Sequence, residues 1–281
     1  MKKFAFILLV FLFGCGSKDT TIKTQVKSNI EEFKKTGYSF YRKGNVNNAI
    51  EYFKRGIELA YSVDSTYQLV ELYCALGDIY LSIGDIENAS NNIFTAEKIE
   101  KYERSRNSFT VLISIAKYYS KLFDKTKNES FIEKSEYYFE IAKKNIQTDE
   151  DWAVYHNNFG KLMMKLNKYS VALQNFEKAI KINESKKNFL GAADNFYNIG
   201  ILYERTGEYE KALFNYKKAL QNDKLVENSD GIYMDNKKIA LMYSKLGNKE
   251  MAKYYFEKAK LVAISLNNKD YVEEIEKLMK E

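Results

Sequence analysis

The sequence predicts an all-α fold, a right-handed superhelical solenoid of six helix–turn–helix units closed by one C-terminal cap helix. Three observations lead there. Small residues recur along the chain at Gly37, Gly77, Ala116, Gly160, Gly200 and Ala240, with spacings of 40, 39, 44, 40 and 40 residues. Around each of them apolar residues fall at helical rather than alternating spacing. The chain contains no proline, while 45% of its residues are hydrophobic and 29% charged, a composition that folds.

The unit is clearest in residues 195–220, NFYNIGILYERTGEYEKALFNYKKAL. With Phe196 as position 4, positions 4, 7, 8 and 11 are Phe196, Ile199, Gly200 and Tyr203, one stripe of a first helix. Positions 20, 24 and 27, here Ala212, Tyr216 and Ala219, make the stripe of a second helix. Position 20 recurs as Ala49, Ala89, Ser135, Ala172, Ala212 and Ala252, and position 27 as Gly56, Ala96, Ala142, Ala179, Ala219 and Ala259. Small residues there let neighbouring helices approach, and large ones at positions 4, 11, 17 and 24 fill the space between. Position 15 is glycine at Gly44, Gly84, Gly207 and Gly247, which suits the left-handed turn that ends a helix. No single pair buries its stripe, so the pairs are expected to stack.

In chain order, residues 28–266 hold the six units. The third is irregular, because FDKTKNES (123–130) inserts residues between its helices and Ser135 replaces the alanine. Residues 267–281 read as the cap helix a solenoid needs at its end. The pattern closely resembles the tetratricopeptide repeat over residues 28–266. It departs from it in lacking the usual proline and in a period near 40 where the standard is about 34. The long period resembles the subclass typified by kinesin light chain and by bacterial peptide-sensing regulators.

Ahead of the units stands MKKFAFILLVFLFGCGSKDT. Lys2 and Lys3 followed by an apolar run from Phe4 to Phe13 have the layout of a secretory signal, and the run is shorter than the ~20 residues a membrane span needs. Leu12-Phe13-Gly14-Cys15 resembles a bacterial lipobox. That resemblance implies a signal peptide over residues 1–14, cleavage after Gly14, a diacylglyceryl thioether on Cys15 and a polar tether over 15–27. The implied location is exported and lipid-anchored to a bacterial membrane, the outer one in an organism with two. The other reading is an uncleaved amino-terminal helix with an incidental cysteine.

Catalysis is not expected, and neither a cofactor nor a metal. His156 is the single histidine and occupies position 4, a packing position. Cys74 has no second thiol beside it once Cys15 is lipidated, so no disulfide staples the fold. Nucleophile elbows, phosphate-binding glycine loops and dinucleotide fingerprints are missing from the sequence. The acidic runs Glu31-Glu32, Asp149 to Asp151 and Glu273-Glu274 read as helix-start or solvated residues. A net charge of +6, or +4 without Lys2 and Lys3, does not call for nucleic acid.

Positions 2, 6, 9 and 13 lie opposite the packed stripe of each first helix and are expected to face a concave groove. The carboxy-terminal units place Asn158, Lys161 and Lys165, then Asn198 and Arg205, then Lys238 and Lys245 there. The long-repeat resemblance implies that Asn158 and Asn198 grip the main chain of an extended peptide, since an amide both donates and accepts. The five basic residues would favour an acidic segment or a carboxyl terminus. The expected function is a membrane-anchored adaptor or scaffold that binds a protein or extended peptide. The alternatives are a peptide-sensing regulator of the envelope and an accessory subunit of an envelope assembly or secretion complex.

Overall fold

The structure, a computed structural model, describes residues 15–102 and 108–280, with side chains from residue 25 onward. The expected signal peptide, the lipidated side chain of Cys15 and the processing between them lie outside the described residues. Thirteen α-helices and no strand occur among the described residues. The chain divides into two compact units, one ending at Ile132 and the other beginning at Glu133.

The first unit contains α1 (Cys15–Arg42), α2 (Val46–Ser62), α3 (Thr66–Ser82), α4 (Ile86–Tyr102) and α5 (Phe109–Thr126). Backbone from Cys15 to Lys27, read from the sequence as a tether, is helical and continuous with α1; nothing after Gly16 in this stretch breaks a helix. Its core joins Ile30, Phe53, Ile57, Leu69, Leu72 and Ile79, all buried. Gly37 lies against the Phe53 ring, where a Cβ would come within 2.7 Å of it. A Cβ on Gly77 would collide with the Tyr118 hydroxyl, which donates to the Ala89 carbonyl at 3.0 Å.

A boundary helix, α6 (Glu129–Lys144), leads into the second unit, which continues with α7 (Asp149–Lys165), α8 (Tyr169–Ser185), α9 (Phe189–Arg205), α10 (Tyr209–Leu225), α11 (Ser229–Lys245), α12 (Lys249–Ser265) and α13 (Lys269–Leu278). From α7 onward each first helix packs on its own second helix, α8 and α10 pack on the first helix that follows, and α7 also touches α9. Positions 8 and 24 meet as the spacing predicts: Gly160 lies on Phe176 and Gly200 on Tyr216, both rings fully buried. Thr148 and Asp151 close a capping box at the start of α7, with bonds of 3.0 and 3.1 Å. Helix α13 buries Ile275 and stacks Tyr271 on Tyr233 with centroids 4.0 Å apart.

Position 15 is left-handed at Gly44, Gly84, Gly207 and Gly247, with φ between 75° and 81°. Asn167 takes the same place in the fourth repeat with φ 57°. The turns from a second helix to the next first helix are also left-handed, at Asp64, Lys187, Glu227 and Asn267, without a glycine. Lys187 and Glu227 carry no sequence signal, being ordinary surface types, whereas Asp64 and Asn267 are types that tolerate the left-handed region.

Candidate functional site

In the second unit, helices α7, α9 and α11 lie side by side, and their non-core side carries the basic residues chosen from the sequence. Asn158 and Asn198, expected to grip a peptide main chain, are instead buried with their amides engaged inside the protein. Lys161 on α7 donates to Asp194 on α9 at 2.8 Å, and Asn157 donates to the same Asp194 oxygen at 2.6 Å. Asn198 donates across to Asn157 at 3.2 Å. Lys238 on α11 pairs with Glu204 on α9 at 2.9 Å, and Glu204 also accepts the Tyr216 hydroxyl at 2.6 Å. Asn158 is buried, and its amide donates back to the Val154 carbonyl at 2.7 Å. Lys165 is half-buried, whereas Arg205 and Lys245 are exposed in the last turns of α9 and α11.

Lysine–carboxylate pairs of this kind bridge neighbouring first helices in the first unit as well. Lys34 on α1 binds Glu71 on α3 at 2.9 Å, and Lys121 on α5 binds Asp78 on α3. The pairs align helices that approach through small residues, but being partly exposed each contributes only about 0.2–1 kcal/mol. They also neutralise Lys161 and Lys238, so the face is mixed in charge rather than a basic strip.

A cavity of about 520 Å³ opens between α9, α10 and α11. Its walls include Leu190, Tyr197 and Met234, and three carboxylates line it: Asp194, Asp223 and Asp235. Asp235 is 1% exposed and neither of its oxygens meets a donor. Burial first, and then the Asp223 charge beside it, push its carboxyl up to about 9, so at neutral pH it holds a proton. Asp223 is raised too, by burial, although Asn228 donates to it at 2.9 Å. Sequence reasoning missed this acid pair. The signal available was a change of column, because the equivalent residues one repeat earlier are Asn183 and Asn195.

Tetratricopeptide-repeat models match residues 153–224 in one stretch and residues 37–62, 70–93 and 238–263 in three more. The chain carries tetratricopeptide repeats. Several solved structures share the fold. BtubC (BKLC) from P. vanneervenii is 18% identical, with 86% of this chain and 92% of that one covered and a TM-score of 0.56. A Rap protein complexed with competence and sporulation factor is 16% identical, with 93% and 79% covered and a TM-score of 0.58. A thermophilic repeat protein of Thermus thermophilus is 16% identical, with 72% and 98% covered and a TM-score of 0.51. A search of curated proteins found no match.

Within the tetratricopeptide repeats, the residues most able to do chemistry are occupied by packing. His156 is half-buried, its Nδ1–H donates to Asn175 at 2.8 Å, and its ring stacks on Trp152 at 5.3 Å. Trp152 thus packs along its own helix, against Tyr155 as well as His156. Burial lowers the His156 pKa below its ordinary value. Cys74 is buried, and desolvation raises its thiol far above the usual range, which leaves it a poor nucleophile. Among the described residues, no group of three or more His, Cys, Asp or Glu is placed to hold a metal ion.

Proposed function

We propose that this chain is a non-catalytic interaction module that holds an extended segment of a partner protein along the face of α7, α9 and α11, and that it does so tethered to a membrane through lipid on Cys15. One observation carries the binding half of the reading. Three consecutive first helices turn toward solvent a surface on which amide and charged groups alternate with apolar ones. Half-buried Asn157 and Lys161 and exposed Arg205 stand there beside Val154, which is 44% exposed, and half-buried Ile201, Met234 and Leu241, while Asn198 is buried and donates to Asn157. A main chain laid across such a surface finds donors, acceptors and shallow apolar contacts in repeating order. Because Lys161 and Lys238 are ion-paired, charge on this face alone does not select an acidic partner.

The anchor half of the reading rests on the lipobox resemblance. Two or three acyl chains hold a protein on a bilayer, each buried methylene adding about 0.8 kcal/mol. A second reading, a sensor of free peptides, is favoured by the fold likeness to the Rap protein, which was solved with competence and sporulation factor.

The deciding experiment is affinity capture from detergent-solubilised envelopes, with the native chain beside a variant carrying Val154→Glu, Arg205→Glu and Lys245→Glu. These side chains are exposed, so the variant should melt as the native chain does. A protein retained by the first and lost by the second supports the adaptor. Saturable binding of short free peptides without a protein partner supports the sensor. Capture unaffected by the three substitutions refutes the assignment of this face. For the anchor, Cys15→Ser should leave the protein uncut and release it from membranes; an unchanged mass and membrane fraction relative to the native chain would refute lipidation.

A further inference from the structure

The acid pair between α10 and α11 is short of donors. Asp235 is buried within hydrogen-bonding reach of Asp223, whose Oδ1 already takes the Asn228 amide at 2.9 Å, so the proton that Asp235 holds is the one donor shared between the two carboxyls. A buried carboxylate without a donor is costly, and Asp235 leaves both oxygens without a donor partner where Asn195, one repeat earlier, leaves a single amide oxygen so.

Packing does not require the acids. Forty residues earlier the same turn is built from Asn183, Asn188, Gly191 and Asn195 in place of Asp223, Asn228, Gly231 and Asp235. There Asn188 donates to Asn183 at 3.0 Å, the counterpart of the Asn228–Asp223 bond. A Cβ on Gly191 or on Gly231 would strike the side chain of residue 183 or 223, so the local geometry is shared. A neutral amide therefore serves this position, and the carboxylates of the later repeat are an addition to it.

We propose that the cavity between α9, α10 and α11 binds an organic ammonium group, a lysine side chain or a free amino terminus, with Asp223 and Asp235 accepting from it and Asp194 at its mouth. No lysine or arginine lines the cavity among the described residues, although the chain as a whole is basic. An ammonium carries three donors and no acceptor, which is what the two carboxylates need once Asp235 has given up its proton. Leu190, Met234 and Tyr197 supply apolar wall for an alkyl stem. The residues here do not form a metal-holding group, which favours a directional organic donor over a bare ion. The proposal extends the peptide-holding function by naming one chemical feature of the segment held.

In the free protein a proton takes the place of the ligand. The groups facing Asp235 are Asp223 from α10 and Asp194 and Tyr197 from α9, Asp194 being paired with Lys161 of α7. When the ammonium enters, Asp235 ionises and its proton passes to solvent, so binding at pH 7 should release close to one proton per ligand.

The test is a titration of the full chain, followed by amide resonances of Tyr197, Gly231 and Asp235. The probes are Nα-acetyl-lysine methylamide, alanyl-alanine amide and, as the neutral control, Nα-acetyl-norleucine methylamide. Saturable shifts with at least one of the two ammonium probes, and not with norleucine, are expected; whichever saturates identifies side chain or amino terminus. Calorimetry in buffers of different ionisation enthalpy should report the released proton. The double variant Asp223→Asn with Asp235→Asn, which copies the neighbouring amide set, should fold and bind at least ten-fold more weakly. Failure of both ammonium probes, equal response to norleucine, equal saturation by Mg²⁺, or native binding by the double variant would overturn the proposal. None of those outcomes touches the capture experiment, which depends on Val154, Arg205 and Lys245 instead.

Discussion

Replacing Gly200 with alanine should destabilise the second unit, against what helix propensity alone dictates. Gly200 sits inside α9, where alanine is favoured over glycine by about 1 kcal/mol. A Cβ at that point, however, would lie 2.6 Å from Cε1, 2.7 Å from Cδ1 and 2.9 Å from Cζ of Tyr216. The ring has little room to yield, since it is fully buried and its hydroxyl is held by Glu204 at 2.6 Å. Overpacking of this kind costs about 1–3 kcal/mol, and the buried, hydrogen-bonded ring places it toward the upper end, so after the gain of about 1 kcal/mol the net loss should approach about 2 kcal/mol. At roughly 2–4 °C per kcal/mol for a unit of this size, melting falls by several degrees. Trp152, the only tryptophan, lies in the same unit, so urea unfolding followed by its fluorescence reads the change directly. Trimming the ring with Tyr216→Leu in the Gly200→Ala background should recover part of the loss, a coupling of about 0.5 kcal/mol or more. An unfolding midpoint equal to or above that of the native chain would refute the packing argument. Ala240 holds the same position natively in the last repeat, so the cost belongs to this ring and not to the column.

Three other expectations follow from single side chains. Burial holds the His156 imidazole neutral, so the unfolded chain binds its proton more readily; stability should fall as pH drops through about 6.5 and level off below the folded value. Denaturant melts of the native chain and of His156→Gln should differ by that slope, and parallel curves from pH 5 to 8 would sink the assignment. Asp235 acts with the opposite sign. Its folded pKa of about 9 exceeds the unfolded value near 3.9, so stability declines with rising pH between those limits, and Asp235→Asn should remove the decline. A pH dependence identical in the variant would show that Asp235 does not stay protonated. The Cys74 thiol should react with a disulfide reagent only on unfolding when Cys15 is replaced by serine; complete labelling of the folded chain within seconds would contradict its burial.

The repeat was legible because its packing rules are local. Gly37, Gly160 and Gly200 stand a fixed 16 residues before Phe53, Phe176 and Tyr216, and one helical hairpin brings each pair together. The first-helix turns were legible for the same reason, through Gly44, Gly84, Gly207 and Gly247. The second set of turns was not, since Lys187 and Glu227 enter the left-handed region without glycine to mark them. At the site, the sequence placed Lys161 and Lys238 on the outward side of their helices but could not say what faced them. Asp194 and Glu204 lie more than thirty residues away in sequence, on neighbouring helices, and they neutralise two of the five basic residues from which an acidic partner was inferred.

The all-α class, the period and the buried stripe of each helix were written in the chain, because hydrophobic burial follows a spacing that any reader can count. Which polar groups meet was settled only by the packing of one helix on another. Asp223 and Asp235 look like ordinary solvated acids on two different helices, and the packing of α10 against α11 is what closes Asp235 off from water and from every donor among the described residues. Electrostatics depends on the environment of a group as much as on its identity, and that environment is made by residues far away along the chain.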